Sequence, residues 1–353
     1  MPNRLLKTIS TVSVLIVSLS GCASFGPRTI GPDRVEYIQE ISESGKKQML
    51  LNIVKLRYFD PPTFLDVTSV INQYGIENQI NVDGQWFWPP YGYNAGIGGY
   101  SRYSDKPTIT YTPLSGQRFT KNLLTPLPPV AVVNLIQNGW PIDIVFSLTL
   151  NTINGVNNGS DGTDSGNGKS DFDRLVQALR TVQLAGITDI RVEKIDDKEA
   201  VVFVISDTVN KEKYREETET IRRILKIKPD ISAYKIVLGS LPKNDNEIAL
   251  STRSILQIMF SMAAMMEVPV RHVAEKRVNE TVTYSGIERL QTHIYSSRDK
   301  PQDAFTAIRY QDYWFWIDNK DINSKRNFAL LTIFMSLTES DQKAGSPLLT
   351  IGG

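Results

Sequence analysis

The cleanest period along the chain is two. Tyr74, Ile76, Ile80 and Val82 alternate with Glu77, Gln79 and Asn81, which predicts a strand buried on one face. Ile109 and Tyr111 predict another. Ile142, Ile144, Phe146, Leu148 and Leu150 alternate with Asp143, Ser147 and Thr149 and read as a third. Helical spacing comes earlier. Asp33 with Glu36 forms a capping-box pattern ahead of Val35, Ile38 and Ile41, and a second stripe of Met49, Ile53 and Leu56 stops before Pro61-Pro62, so two helices are expected to open the body. Residues 129–138 read as a short helix with Pro129 at its start and Gly139 past its end.

Residues 154–170 interrupt this pattern. Asn, Gly, Ser and Asp dominate and no large residue follows Val156, so the stretch lacks the apolar surface to offset its ordering entropy and is expected to be a mobile linker. Beyond it, two extended segments and then a helix recur. Residues 191–205 turn at Asp196-Asp197 and lead to a helix with Tyr214, Thr218, Ile221 and Leu225 on one stripe. Residues 234–250 turn near Asn244-Asp245 and lead to Ile255, Met259, Met262 and Met266. Residues 304–318 turn near Gln311-Asp312 and lead to a helix over 324–337. The expected fold class is α+β in two domains, residues 33–153 and 171–340, the second built of hairpin-then-helix units and followed by a disordered tail, 341–353.

Composition narrows the partners. The 353 residues carry 39 Lys and Arg against 38 Asp and Glu, and this balance offers no basic face for nucleic acid. Cys22 is the only cysteine, so no intramolecular disulfide can form, and stability must come from buried apolar area.

That cysteine closes the run Leu19-Ser20-Gly21-Cys22. Arg4 and Lys7 precede it as a basic region, and Val12, Val14, Leu15, Ile16 and Val17 form an apolar stretch too short to span a bilayer. The pattern resembles the lipobox of bacterial lipoproteins. The resemblance implies that residues 1–21 are a signal peptide, that Cys22 is acylated after cleavage, and that residues 22–32 are a lipidated tether. Ala23, in place of the aspartate that retains such proteins at the inner membrane, implies the outer membrane, facing the periplasm. Each buried methylene contributes about 0.8 kcal/mol, so two or three acyl chains anchor a protein stably where one does not. Residues 50–66 and 313–325 are also similar to segments of Gram-negative outer-membrane lipoproteins, a resemblance that brings no activity with it.

Candidate chemistry is sparse. His272 and His293 are the only histidines, neither belongs to an HExxH or other metal-ligand spacing, and both are expected to be packing or surface residues. No G-x-S-x-G elbow occurs; Gly99-Tyr100-Ser101 lacks the second glycine. Asp161, Asp164 and Asp171 do not follow the order of a calcium loop. No catalytic residue, metal or cofactor is therefore assigned. Paired carboxylates for glycoside hydrolysis remain open, since 38 acidic residues always allow some pair.

One segment stands apart. Trp86, Phe87, Trp88, Tyr91, Tyr93, Tyr100 and Tyr103 crowd together with Pro89, Pro90 and several glycines, without a sustained helix or strand period. Such rings suit a protein partner, a glycan or a lipid headgroup region; the alternative is an irregular lid over the domain's own core. The run Tyr313-Trp314-Phe315-Trp316 reads as a strand with one core face. These readings converge on a lipid-anchored, non-enzymatic envelope protein bound to another envelope protein or glycan. An accessory subunit of an export machine and a carboxylate-dependent envelope hydrolase are the alternatives.

Overall fold

The computed structural model describes residues 26–71, 74–85, 94–105, 108–158, 170–195, 198–205, 212–281 and 292–339. One helix, α1 (Gly26–Arg57), stands where two were expected, and it begins inside the stretch expected to be a tether. The weakest helix former between the two expected pieces is Gly45. Its cost in a helix interior is about 1 kcal/mol, too little to break a helix continued on both sides. Val35, Ile38 and Ile41 are exposed, whereas Met49, Leu50, Ile53, Val54 and Leu56 are buried. By packing, the chain divides into Met1–Gln48 and Met49–Gly353.

Within the larger unit, β1 (Leu65–Ile71) pairs antiparallel with β4 (Thr108–Pro113), and β2 (Tyr74–Gln85) pairs antiparallel with β3 (Asn94–Asp105). β3 corrects the expectation that residues 94–103 lack a strand period, because its glycines and serines interrupt the apolar alternation by which a strand is recognised. A short helix, α2 (Gly116–Phe119), runs into a π-helical turn, Thr120–Leu124. Then come α3 (Pro129–Gln137), as expected, and α4 (Ile142–Thr149).

Helix α4 overturns the third expected strand. Ile142, Asp143, Ile144, Val145, Phe146, Leu148 and Thr149 are all buried. A helix buried all round is apolar on every side, and over eight residues such a run mimics strand alternation. Only Leu150 belongs to a strand, the first residue of β5 (Leu150–Ile153).

β5 and β6 (Val156–Asn157) form a tight hairpin whose turn residues, Asn154 and Gly155, both have positive φ (48° and 79°). Asn-Gly is the strongest short-range hairpin signal, so the expected linker starts with a turn. Beyond it follow α5 (Asp171–Leu184), β7 (Thr188–Ile195), β8 (Lys198–Ile205), α6 (Arg215–Leu225), β9 (Ala233–Leu238) and β10 (Glu247–Thr252). The sheet order is β6-β5-β10-β9-β8-β7. Strands from both sides of residues 159–169 therefore share one sheet, and the division expected at 154–170 is not a boundary between separate cores. Arg253 reinforces the join by donating to the carbonyls of Ser147, Leu148 and Asn158 and to Asn151 Oδ1.

β7 and β8 are the expected hairpin, but β9 and β10 run parallel. The connection over residues 239–246 carries the chain back along β9: Gly239 N–H donates to Leu250 O (2.9 Å) and Lys235 N–H to Asn246 O (2.8 Å). A turn signal at Asn244-Asp245 marks a change of direction without fixing which strand is met next.

The chain ends in α7 (Ile255–Met265), started by a complete Ser254/Gln257 capping box, then α8 (Val270–Ala274), β11 (Tyr295–Ser297), β12 (Ala304–Tyr310), β13 (Tyr313–Asp318) and α9 (Ile322–Glu339). β12 and β13 form the expected hairpin, turning at Gln311 and Asp312, both with positive φ. Phe315 and Ile317 are buried while Trp314 and Trp316 are half-buried, as the strand pattern requires. The architecture is α+β, as expected.

Candidate functional site

The four strands β1 to β4 carry the positions singled out in the sequence, and they are rooted firmly. Helix α1 ends at Arg57, and Pro61-Pro62 cannot continue it. Asn52 then holds the departing chain from both sides: its Nδ2 donates to Thr63 O and its Oδ1 accepts from Thr63 N–H, each at 2.8 Å. Phe64 and Leu114 are buried where the strands leave the core, and Leu114 N–H donates to Phe64 O at 2.9 Å. Just outside, Arg118 pairs with Asp66 at 2.9 Å.

From this root the register runs outward without a break in phase. Ile71 pairs with Thr108 and Tyr74 with Asp105, so three residues forward on one strand match three residues back on the other. The pairing continues to Gln85 opposite Asn94. Each strand has a single partner, which leaves an outer edge without a neighbouring strand among the described residues. β2 and β3 have 12 residues each, about 40 Å of extended chain at the usual rise per residue.

The register also sorts the residues into faces. Val67/Tyr111 and Val70/Ile109 share one face of β1 and β4, and Asp66/Thr112 and Ser69/Thr110 share the other; in β2 and β3, Ile76 pairs with Tyr103, Gln79 with Tyr100 and Val82 with Ile97. A bulge between Val67 and Ser69 shifts the phase by one residue. Without it, Leu65 and Val67 would fall on the face opposite Val70. The β1/β4 pair is thus amphipathic. Near its root the apolar side is open: Leu65 and Ile109 are exposed and Tyr111 is 52% exposed.

Of the sequence-predicted residues, Tyr100 lies on β3 opposite Gln79 and is 48% exposed. Tyr103 lies on β3 opposite Ile76. Trp86, Phe87, Trp88, Tyr91 and Tyr93 follow the last residue of β2 and precede β3, and they lie outside the described residues, as do Cys22, residues 159–169 and the tail from 340.

A second cluster gathers around the end of α1. Tyr58 Oη lies 2.7 Å from His272 Nδ1 in the interior, and the rings of Tyr310, Tyr313 and Phe315 close around the pair, Tyr313 meeting His272 edge-on at 4.9 Å. Tyr310 donates to the Asp60 carboxylate. Arg57 Nη2 donates to the carbonyls of Asn279 and Glu280 at 2.8 and 2.7 Å. Burial pushes the Tyr58 hydroxyl up to about 12 and, with Arg277 nearby, pushes His272 below its ordinary value. Both groups are neutral at pH 7, and the His272 tautomer sets which of the two atoms donates. That is a satisfied buried hydrogen bond, and it joins α1 to α8, β12 and β13. His293, whose backbone N–H donates to Ser324 Oγ, stacks on Tyr295.

The interior cavity bounded by Phe146, Leu179, Phe203, Leu225 and Leu250 is apolar and about 10 Å³, room for about one water. Among the described residues no group of three or more His, Cys, Asp or Glu is placed to hold a metal, and no helix is long and apolar enough to cross a membrane. No protein family, curated protein or solved structure matches the chain.

Proposed function

We propose that this is a lipid-anchored protein of the bacterial cell envelope, held at the outer membrane through acylated Cys22 and facing the periplasm, whose β-ribbon is its interaction element. The role is structural rather than catalytic. The observation that supports it most is the ribbon itself. A two-stranded ribbon with an exposed apolar side is marginal alone in water, and it is rooted by Asn52, Phe64 and Leu114 as a projecting element needs to be. The lipobox supports the location.

The test has two arms. Wild-type protein from labelled cells should fractionate with the outer membrane and carry acyl mass on Cys22, and Cys22→Ser should abolish both. Tyr111→Ser with Ile109→Ser should reduce crosslinking of the protein to its envelope partner in intact cells while leaving the melting temperature within a degree or two of wild type, as surface substitutions usually do. Recovery of unacylated wild-type protein in soluble periplasmic extracts would refute the anchor. Unchanged crosslinking in the double variant would refute the role of the ribbon.

A further inference from the structure

Helix α8 and the turn after it are held to the body by few contacts. Of residues 270–281 only His272 and Val278 are buried, and Val270 is 85% exposed. The turn closes on itself: Arg277 N–H donates to His272 O at 2.9 Å, and Lys276 sits at φ +57°, a left-handed conformation that favours glycine. The segment is tied to the end of α1 at two places, Tyr58 Oη at His272 Nδ1 and Arg57 Nη2 at the carbonyls of Asn279 and Glu280. Segments with so few buried side chains are the ones that open before the rest of a fold. We propose that His272 is the latch of this segment: when its ring takes up a proton, residues 270–281 come away from α1 and the β12/β13 hairpin while the sheets and the other helices stay folded.

The surroundings of the ring give a proton there no counter-charge. Tyr58 faces it from α1, with Arg57 beside it in the chain; Arg271 and Glu275 lie near it on α8, Arg277 on the turn, and Asp312 and Tyr313 on the hairpin. Both carboxylates are engaged with other cations: Glu275 meets Arg271 and Arg277 at 2.6 Å each, and Asp312 lies 3.5 Å from Arg309. Asp60, near Tyr58, accepts from Tyr310. An imidazolium at His272 would therefore stand buried beside two arginines. In the open segment the ring is solvated and binds the proton at its ordinary value of 6.5. Acid thus favours the open form, by up to about tenfold for each pH unit below 6.5, until the closed form also takes up the proton. Opening bares the rings of Tyr58 and Tyr313 and frees the Arg57 guanidinium, so the surface offered to a partner differs between neutral and acid pH.

Hydrogen exchange of the full-length protein at pH 7.5 and pH 5, corrected for the intrinsic exchange rate, reads the latch directly. Opening of residues 270–281 should rise about 3- to 30-fold on acidification, while α7, α9 and β5 to β10 change by less than about twofold. In His272→Gln, whose side chain does not titrate, the segment should open equally at both pH values, whatever its absolute protection. His293→Gln removes the other histidine and should keep the wild-type response. The latch is overturned if the wild-type segment shows no acid-dependent opening, or if His272→Gln keeps the full response. It is equally overturned if His293→Gln abolishes the response, or if the whole body loosens in step with the segment.

Discussion

At Tyr58 and His272, burial sets both protonation states. His272 is held below its ordinary value of 6.5, so as the pH falls below 6.5 the unfolded chain takes up the proton before the folded one does. This contribution is present in full above pH 6.5 and is lost on acidification. Compared at pH 7.5 and pH 5, wild type should therefore lose more stability than His272→Gln; an equal loss would mean that the ring is already charged in the fold. Tyr58→Phe should cost about 1–3 kcal/mol, since it leaves His272 Nδ1 buried without its hydrogen-bond partner, and denaturant unfolding reads this directly. At Gly155, φ is +79°. An added Cβ would meet only the mobile end of the exposed Leu241 side chain. Backbone strain then dominates, and Gly155→Ala should cost about 1–2 kcal/mol.

At the scale of elements, what was legible in the sequence depends on how each element is buried. The sequence of β2 alternates strictly, and α3 and α7 have a buried side and clear start signals, so their periods stand out. Helix α4 has no wet side, so its sequence does not distinguish helix from strand. The Asn154-Gly155 turn was obscured by the Gly- and Asn-rich run that follows it, although its hairpin signal is strong. The pairing of β2 with β3 was hidden because Gly96, Gly98 and Gly99 leave β3 with little alternation of its own. The aromatic run stands out by composition alone, and it lies between β2 and β3 in sequence. His272 gave no signal of its partner, because Tyr58 lies 214 residues away in sequence. The ribbon also separates root from arm. Phe64→Ala should cost about 3–5 kcal/mol, as truncation of a buried phenylalanine does, whereas Tyr111→Ser should leave thermal unfolding nearly unchanged. Equal losses in the two variants would place Tyr111 in the core.

For the whole molecule, the shared sheet makes a prediction about integrity. A protease site inserted within residues 159–169 and cut in the folded protein should leave two pieces that stay together on a sizing column until denaturant is added. β5 on one piece pairs with β10 on the other, and Arg253 spans the join. Separation without denaturant would restore two independent domains. Within this body the ribbon gathers three exposed apolar side chains, Leu65, Ile109 and Tyr111, on one face. The most direct test is therefore of what the ribbon touches: a photocrosslinker placed at Tyr111 of the full-length protein in intact cells should capture an envelope component that the same crosslinker at the exposed Leu184 does not, and equal capture from the two positions would contradict the account.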